Sequence, residues 1–151
     1  MKLQKQLFKK YPRIFRQKDL PMSQTCMCWG IDTGNGWYRL LDELCHCIQT
    51  MIDNNRHMIN YQLEATQVKE KYGTLRFYYQ WYPIKDKSKY KPTAEDNERM
   101  MRELEGAVLF ADHFSGSICE ECGQPGETKT IYGWVYTRCK THMDEIKKKK
   151  D

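Results

Sequence analysis

Four residues near the C-terminus, Cys119, Cys122, Cys139 and His142, constrain this chain more than any other feature. They read C-x2-C, then sixteen residues, then C-x2-H, which is the spacing of a closed tetrahedral zinc site. Thiolates and a neutral imidazole are the ligands that a borderline-soft d10 ion prefers. Four protein ligands leave no open position, so the spacing predicts one structural Zn2+ rather than a catalytic one. Cys119-Glu-Glu-Cys122-Gly123 has the form of a zinc knuckle, and Thr128 to Tyr132 and Trp134 to Arg138 read as a short hairpin around Gly133. The expected module is a treble-clef-like zinc ribbon over 116–146, small enough for the metal to supply much of its folding free energy.

The remaining cysteines bear on compartment and on a second site. Seven cysteines is an odd number, and three committed to metal disfavour a disulfide scaffold and fit a reducing cytoplasm. Cys26-x-Cys28 and Cys45-His46-Cys47 invite a second ion. However, residues 45 and 47 lie about 200° apart around a helix and cannot both face one ion. Cys47 falls on an apolar stripe and is expected in the core; a chemical role for Cys26 or Cys28 stays open. No run of about 18 apolar residues is present, so no transmembrane helix is expected, and the first residues lack the apolar core of a secretory signal.

At 151 residues the chain suits one compact domain with a metal-stapled appendage. Residues 3–17 read as a short basic amphipathic helix ending near Lys10, then a packed turn at Pro12. An irregular stretch follows, with Gly30, Gly34 and Gly36 marking tight turns. Trp37, Leu40, Leu41, Leu44, Cys47, Ile48, Met51 and Ile52 recur at helical spacing, predicting a helix over 37–53 capped by Asn35 or Asp32. Leu63 to Tyr82 predicts a β-hairpin turning at Gly73, with Ala65, Gln67, Lys69 and Lys71 alternating against Thr66, Val68 and Glu70. Residues 83–92 read as a basic loop. Thr93 with Asp96 forms a capping box for a second helix. Its buried face is expected to hold Met100, Met101, Leu104, Ala107, Val108, Ala111 and Phe114, with Glu98–Arg102 and Arg99–Glu103 pairs outside. Gly106 inside it is expected to permit close packing. The fold class is therefore α+β: a hairpin or small antiparallel sheet packed with two amphipathic helices, over 1–115, then the zinc module and a basic tail over 147–151.

The net charge of +5 hides an asymmetry. Residues 1–18 hold seven basic side chains and no acid, the tail adds four lysines and one acid, and the body between has 14 basic against 19 acidic side chains. Lys9, Lys10, Arg13 and Arg16 are thus candidates to hold phosphate or an acidic surface. The densest functional-looking cluster is spread over two segments. One supplies Cys26, Cys28, Trp29, Asp32 and Trp37; the other supplies Lys69, Lys71, Tyr72, Arg76 and Tyr78. Cations interleaved with aromatics are what a base-stacking, phosphate-holding surface uses. The plain alternative is that the aromatics are core and the lysines the wet side of a hairpin. The glycine-rich loop before the helix offers backbone amides to an anion, although its spacing matches neither a Walker nor a Rossmann fingerprint. Gln67-x-Lys69 with an upstream acid, Asp42 or Asp53, loosely resembles a nuclease pattern that could hold Mg2+ and orient water. No second acid and no Ser-His or Cys-His pair supports that reading.

Several motifs occur together: Lys10-Tyr-Pro-Arg-Ile-Phe15, Thr25-Cys-Met-Cys-Trp-Gly30, Gly36-Trp-Tyr38, Val68-Lys-Glu-Lys-Tyr-Gly-Thr-Leu-Arg-Phe-Tyr78 and Cys119-x-x-Cys-Gly-x-Pro-Gly126. This combination resembles a widespread family of small proteins encoded by phages and prophages. The likeness covers most of the chain except the 83–92 loop and the lysine tail. Family members often carry an acid and a cysteine before Gly-x-Gly-Trp, whereas this chain reads Gly30-Ile-Asp-Thr-Gly-Asn-Gly-Trp37. The resemblance implies a phage setting in a bacterial cytoplasm, with takeover, replication support or counter-defence as roles. The expected function is non-enzymatic binding of a host protein, nucleic acid or nucleotide, with no membrane partner. Sequence-tolerant nucleic-acid binding through the basic arm, or a metal-dependent nuclease, are the alternatives.

Overall fold

The computed structural model describes residues 2–54, 61–84 and 93–148. Helix α1, Lys2–Lys10, stops where Tyr11 precedes Pro12, because a proline disfavours helical geometry in the residue before it. The chain then runs through 3-10 turns at Arg16–Asp19 and Met27–Trp29 into the two-residue strand β1, Ile31–Asp32. A third such turn, Asn35–Trp37, leads directly into helix α2, Tyr38–Asn54. Strands β2, Tyr61–Lys71, and β3, Thr74–Pro83, form the long hairpin. Helix α3, Ala94–Ser115, opens on the Thr93–Asp96 capping box. The C-terminal part comprises β4, Glu127–Ile131, β5, Trp134–Arg138, and helix α4, Lys140–Lys148. The fold is α+β.

The main sheet has the order β1-β2-β3, with β1 parallel to β2 and β3 antiparallel to it; β4 and β5 make a separate antiparallel pair. Both hairpins close on a Tyr-Gly pair with positive φ at each residue, Tyr72 (54°) and Gly73 (78°), and Tyr132 (53°) and Gly133 (83°). Two-residue turns of this kind match the twist of the strands they join. The core gathers Leu7, Ile14 and Phe15 from the N-terminal segment, and Leu41, Leu44, Cys45, Ile48 and Ile52 from α2. Leu63, Ala65, Val68, Leu75 and Phe77 come from the sheet, and Met100, Leu104, Val108 and Ala111 from α3. Helix α3 also covers the outer edge of β3: the Leu75 N–H donates to Ser115 Oγ at 2.8 Å. An edge strand capped in this way cannot pair with another chain there. No described helix is long and apolar enough to cross a membrane.

Several local expectations change. The register of β2 against β3 shifts between Ala65 and Gln67, so Ala65 and Val68 both face the core; strict alternation fails because a bulge inserts one residue. In α2 the stripe runs through Leu41, Leu44, Ile48 and Ile52, which places Cys45 inside and Cys47 outside. The turn that leads into that helix has no side-chain cap; Asn35 is already part of that turn and Asp32 lies in β1. Phe114 is exposed and stacks on exposed Phe110, ring centroids 5.6 Å apart. Arg99 pairs with Asp96 rather than Glu103, while Arg102 meets Glu98 at 3.2 Å. Gly106 packs against nothing: a Cβ there would meet no atom within 4 Å. The 83–92 loop from residue 85 onward, and residues 149–151 of the tail, lie outside the described residues. Lys147 and Lys148 belong to α4, a helix that the sequence reading did not anticipate.

Candidate metal centre and sheet face

Local structure brings the four metal-ligand candidates to one point. Cys119 and Cys122 sit in a turn closed by the Gly123 N–H to the Cys119 carbonyl, 2.8 Å. Cys139 stands between β5 and α4, and His142 lies in the first turn of α4, three residues on, so both ligands share one side of the helix start. The ligand atoms all lie within 4.8 Å of one another. His142 Nδ1 is 3.4 Å from Cys119 Sγ and 3.2 Å from Cys139 Sγ, and Cys122 Sγ is 3.9 Å from Cys139 Sγ. A tetrahedral ion with metal–sulfur bonds of about 2.3 Å and a metal–nitrogen bond of about 2.05 Å sets these separations near 3.8 Å and 3.6 Å. The four residues can hold a metal ion.

The electrostatics agree. Burial opposes ionisation of Cys119, but the backbone N–H groups of Cys139, Cys122 and Glu121 outweigh it and bring this thiol down to about 6. The Gln124 N–H favours a thiolate at Cys122, but burial and the neighbouring sulfurs of Cys119 and Cys139 outweigh it and push that thiol up. Hydrogen bonding to Cys139 and Cys119 raises the His142 imidazole. Crowded sulfur charge of this kind is what a bound dication relieves.

The glycine loop before α2 is the seat of this centre. Gly34 N–H donates to Glu120 Oε1 at 2.8 Å, and Gly36 N–H donates to the Glu120 carbonyl at 2.7 Å. The loop does receive an anion, and that anion is internal. Glu120 is buried, and its other oxygen accepts from Arg138 Nη1 at 2.6 Å. Gly36 lies so close to the knuckle that a Cβ would stand 2.2 Å from the Cys119 carbonyl oxygen, so only glycine fits. Trp37 is wholly buried and donates from Nε1 to the Ile118 carbonyl at 2.9 Å; it belongs to the core and not to a binding surface. On the far side, Thr137 Oγ1 donates to the Gly73 carbonyl at 2.5 Å. The knuckle and its hairpin therefore fasten both the glycine loop and the tip of β2–β3.

The two segments singled out in the sequence meet on the main sheet. The pairings Asp32↔Lys69 and Lys69↔Arg76 set these three residues in one row across β1, β2 and β3, beside Gln67↔Tyr78. Lys69 Nζ lies 5.9 Å from the Tyr78 ring centroid and Lys71 Nζ 5.3 Å from that of Tyr72. Tyr72 and Tyr78 are exposed, whereas Arg76 is turned back to Thr74 Oγ1 at 2.6 Å. Cys26 is exposed, and Cys28 donates its thiol hydrogen to the Thr25 carbonyl at 3.2 Å. Trp29 is exposed beside α1, apart from the Asp32–Lys69–Arg76 row.

Most of the basic arm is spoken for. Lys10 pairs with Asp42 at 2.8 Å, Arg13 with Asp53 at 2.7 Å, and Arg16 with Glu64 at 2.5 Å. Hydrogen bonding to Asp42 pushes the Lys10 ammonium up. Burial opposes ionisation of Asp42, but Lys10 and Tyr11 outweigh it and hold the carboxyl low. Lys9 stays exposed. The same pairs bind Asp42 and Asp53 to the arm rather than to Lys69, so no acid–lysine cluster of nuclease type is assembled from them. Burial pushes the Cys45 thiol far up, which fits an inert core residue. Comparison with protein families, curated proteins and solved structures finds no match to this chain.

Proposed function

We propose that this chain is a non-enzymatic binding protein, braced by one structural zinc ion in a treble-clef-like ribbon, that grips a nucleic-acid strand on the outer face of its three-stranded sheet. The three sulfurs and one nitrogen favour Zn2+ among common ions, and Cys119, Cys122, Cys139 and His142 leave it no open position. The observation that carries the binding role is the pairing of exposed tyrosines with lysines, Lys69 with Tyr78 on the sheet face and Lys71 with Tyr72 at the hairpin tip. Stacking platforms flanked by cations hold bases and phosphates without reading sequence. The paired state of Lys10, Arg13 and Arg16 favours this face over the N-terminal arm. The resemblance to phage-encoded proteins fits a role in takeover or counter-defence.

Anisotropy of a labelled oligo-dT or oligo-U tests the reading. Wild type should bind with an affinity that falls steeply with salt. Combined Lys69→Ala, Lys71→Ala and Tyr78→Ala substitutions should weaken it by at least about tenfold. Unchanged affinity in that variant would overturn the assignment. Failure of any strand to bind at low salt would turn attention to a host protein as partner.

A further inference from the structure

Helix α1 and the Met27–Trp29 turn enclose a feature that neither the metal centre nor the sheet face uses, an open cleft of about 610 Å³. Its walls include Lys5, Phe8, Lys9, Lys18, Cys28 and Trp29. Trp29 leaves 71% of its surface in water, an arrangement that gives up the burial energy a tryptophan normally supplies. Lys5 and Lys9 are one helical turn apart on the exposed side of α1, so their ammonium groups border the same opening. Lys18 Nζ lies 6.0 Å over the Phe8 ring. The cleft has one carboxylate, Asp19, and that one is paired with Lys18, which leaves Lys5 and Lys9 to face a ligand.

The cleft is also built rather than incidental. Gln4 Oε1 accepts the Ile31 N–H at 2.6 Å, fastening α1 to the segment just after Trp29. Met27 beneath it is fully buried, and its carbonyl accepts the Gly30 N–H at 2.8 Å. A fastened backbone that presents an exposed flat ring near two lysines with no ion pair among the described residues suits a ligand with a planar ring and an anionic group.

We propose that this cleft binds a phosphorylated nucleoside, the base stacking on Trp29 and the phosphate held by Lys5 and Lys9. An acidic peptide would satisfy the lysines but leave the indole face without a flat partner. The phosphate and base can belong to a free nucleotide or to the 5′ end of a strand, and the site stands apart from the sheet face and does not rest on the reading of it.

The test is tryptophan-fluorescence and calorimetric titration of the full chain with AMP, ATP, adenosine, inorganic phosphate, poly-glutamate, and 5′-phosphorylated and 5′-hydroxyl oligo-dT. The expected result is that AMP or ATP binds at least about tenfold more tightly than adenosine, phosphate or poly-glutamate, or that the 5′-phosphorylated strand binds at least about tenfold more tightly than the 5′-hydroxyl strand. Trp29→Ala, and Lys5→Ala with Lys9→Ala, should each lower the affinity for AMP or ATP about tenfold. A 5′-phosphorylated strand that binds more tightly than the 5′-hydroxyl strand assigns a strand end, and AMP binding with no difference between the two strands assigns a free nucleotide. The proposal fails if nothing with a base and a phosphate binds up to millimolar concentration. It also fails if Trp29→Ala binds as wild type does, or if poly-glutamate or phosphate alone binds as well as AMP.

Discussion

Replacing Gly36 by alanine isolates the contact between the glycine loop and the knuckle. The added Cβ would stand 2.2 Å from the Cys119 carbonyl oxygen, 2.5 Å from the Gly123 nitrogen and 2.7 Å from the Cys122 nitrogen. All three are backbone atoms, so no rotamer change relieves the collision and one of the two segments must withdraw. Withdrawal breaks the hydrogen bonds from Gly36 and Gly34 to Glu120, each worth about 1 kcal/mol. Overpacking adds about 2 kcal/mol, for a total of about 4 kcal/mol against a typical domain stability of about 5–15 kcal/mol. For a chain of this length about 1 kcal/mol corresponds to about 2–4 °C, so the melting temperature should drop by about 8–16 °C. Thermal unfolding followed by circular dichroism, with and without a zinc chelator, reads this directly. The gap between variant and wild type should be large with metal and narrow after chelation, when the knuckle is free to move away from the new methyl group. Melting within about 2 °C of wild type, or an equal gap in both conditions, would refute the reasoning.

Three further outcomes follow from the same geometry. Gly106→Ala should stabilise the protein by about 0.5–1 kcal/mol, because the site is open and alanine is the better helix former; a lower melting temperature would contradict this. Burial raises the Asp112 carboxyl to about 6, against the pull of Arg76 and His113, and its Oδ1 has no hydrogen-bond partner. A carboxyl raised in the folded state stabilises below its unfolded pKa and loses that contribution as pH rises through about 6. Asp112→Asn should therefore melt above wild type at pH 7.5, by about 1 kcal/mol after discounting for its partial exposure, with the difference shrinking towards pH 4. Glu120→Ala removes the partner of Arg138, both side chains being 11% exposed, and should cost about 3 kcal/mol in denaturant unfolding. Glu121, at 3.1 Å from the same guanidinium, sets a limit on that loss.

How far the sequence disclosed this structure depended on whether the signal was local. The metal quartet, the Thr93–Asp96 box and the Tyr-Gly turns are short-range patterns, and each was legible. The two-residue strand β1 was not, since Ile31–Asp32 has no periodicity of its own and is a strand only because Val68 and Lys69 lie beside it. Cys47, read as core, is exposed and Cys45 is buried, because the stripe tolerates either until the phase of α2 is fixed by its neighbours. The glycine loop was read as an anion seat, and its true occupant, Glu120, is 84 residues beyond Gly36. The arm resembled a phosphate grip because its counter-charges, Asp42, Asp53 and Glu64, lie 32, 40 and 48 residues from their partners. One cue was available for α4: Lys140, Lys147 and Lys148 surround Met143 and Ile146 at helical spacing, masked by the apparent lysine tail.

The central claim is that one zinc ion, held by Cys119, Cys122, Cys139 and His142, braces the glycine loop against the knuckle. Zinc titration of chelated protein, followed by hydrogen exchange at the Gly34 and Gly36 amides and the Trp37 indole, tests it most directly. Protection at all three should rise together and saturate at one Zn2+ per chain, and should not rise in His142→Ala. Exchange at these sites that ignores zinc, or that responds equally in the His142 variant, would contradict it.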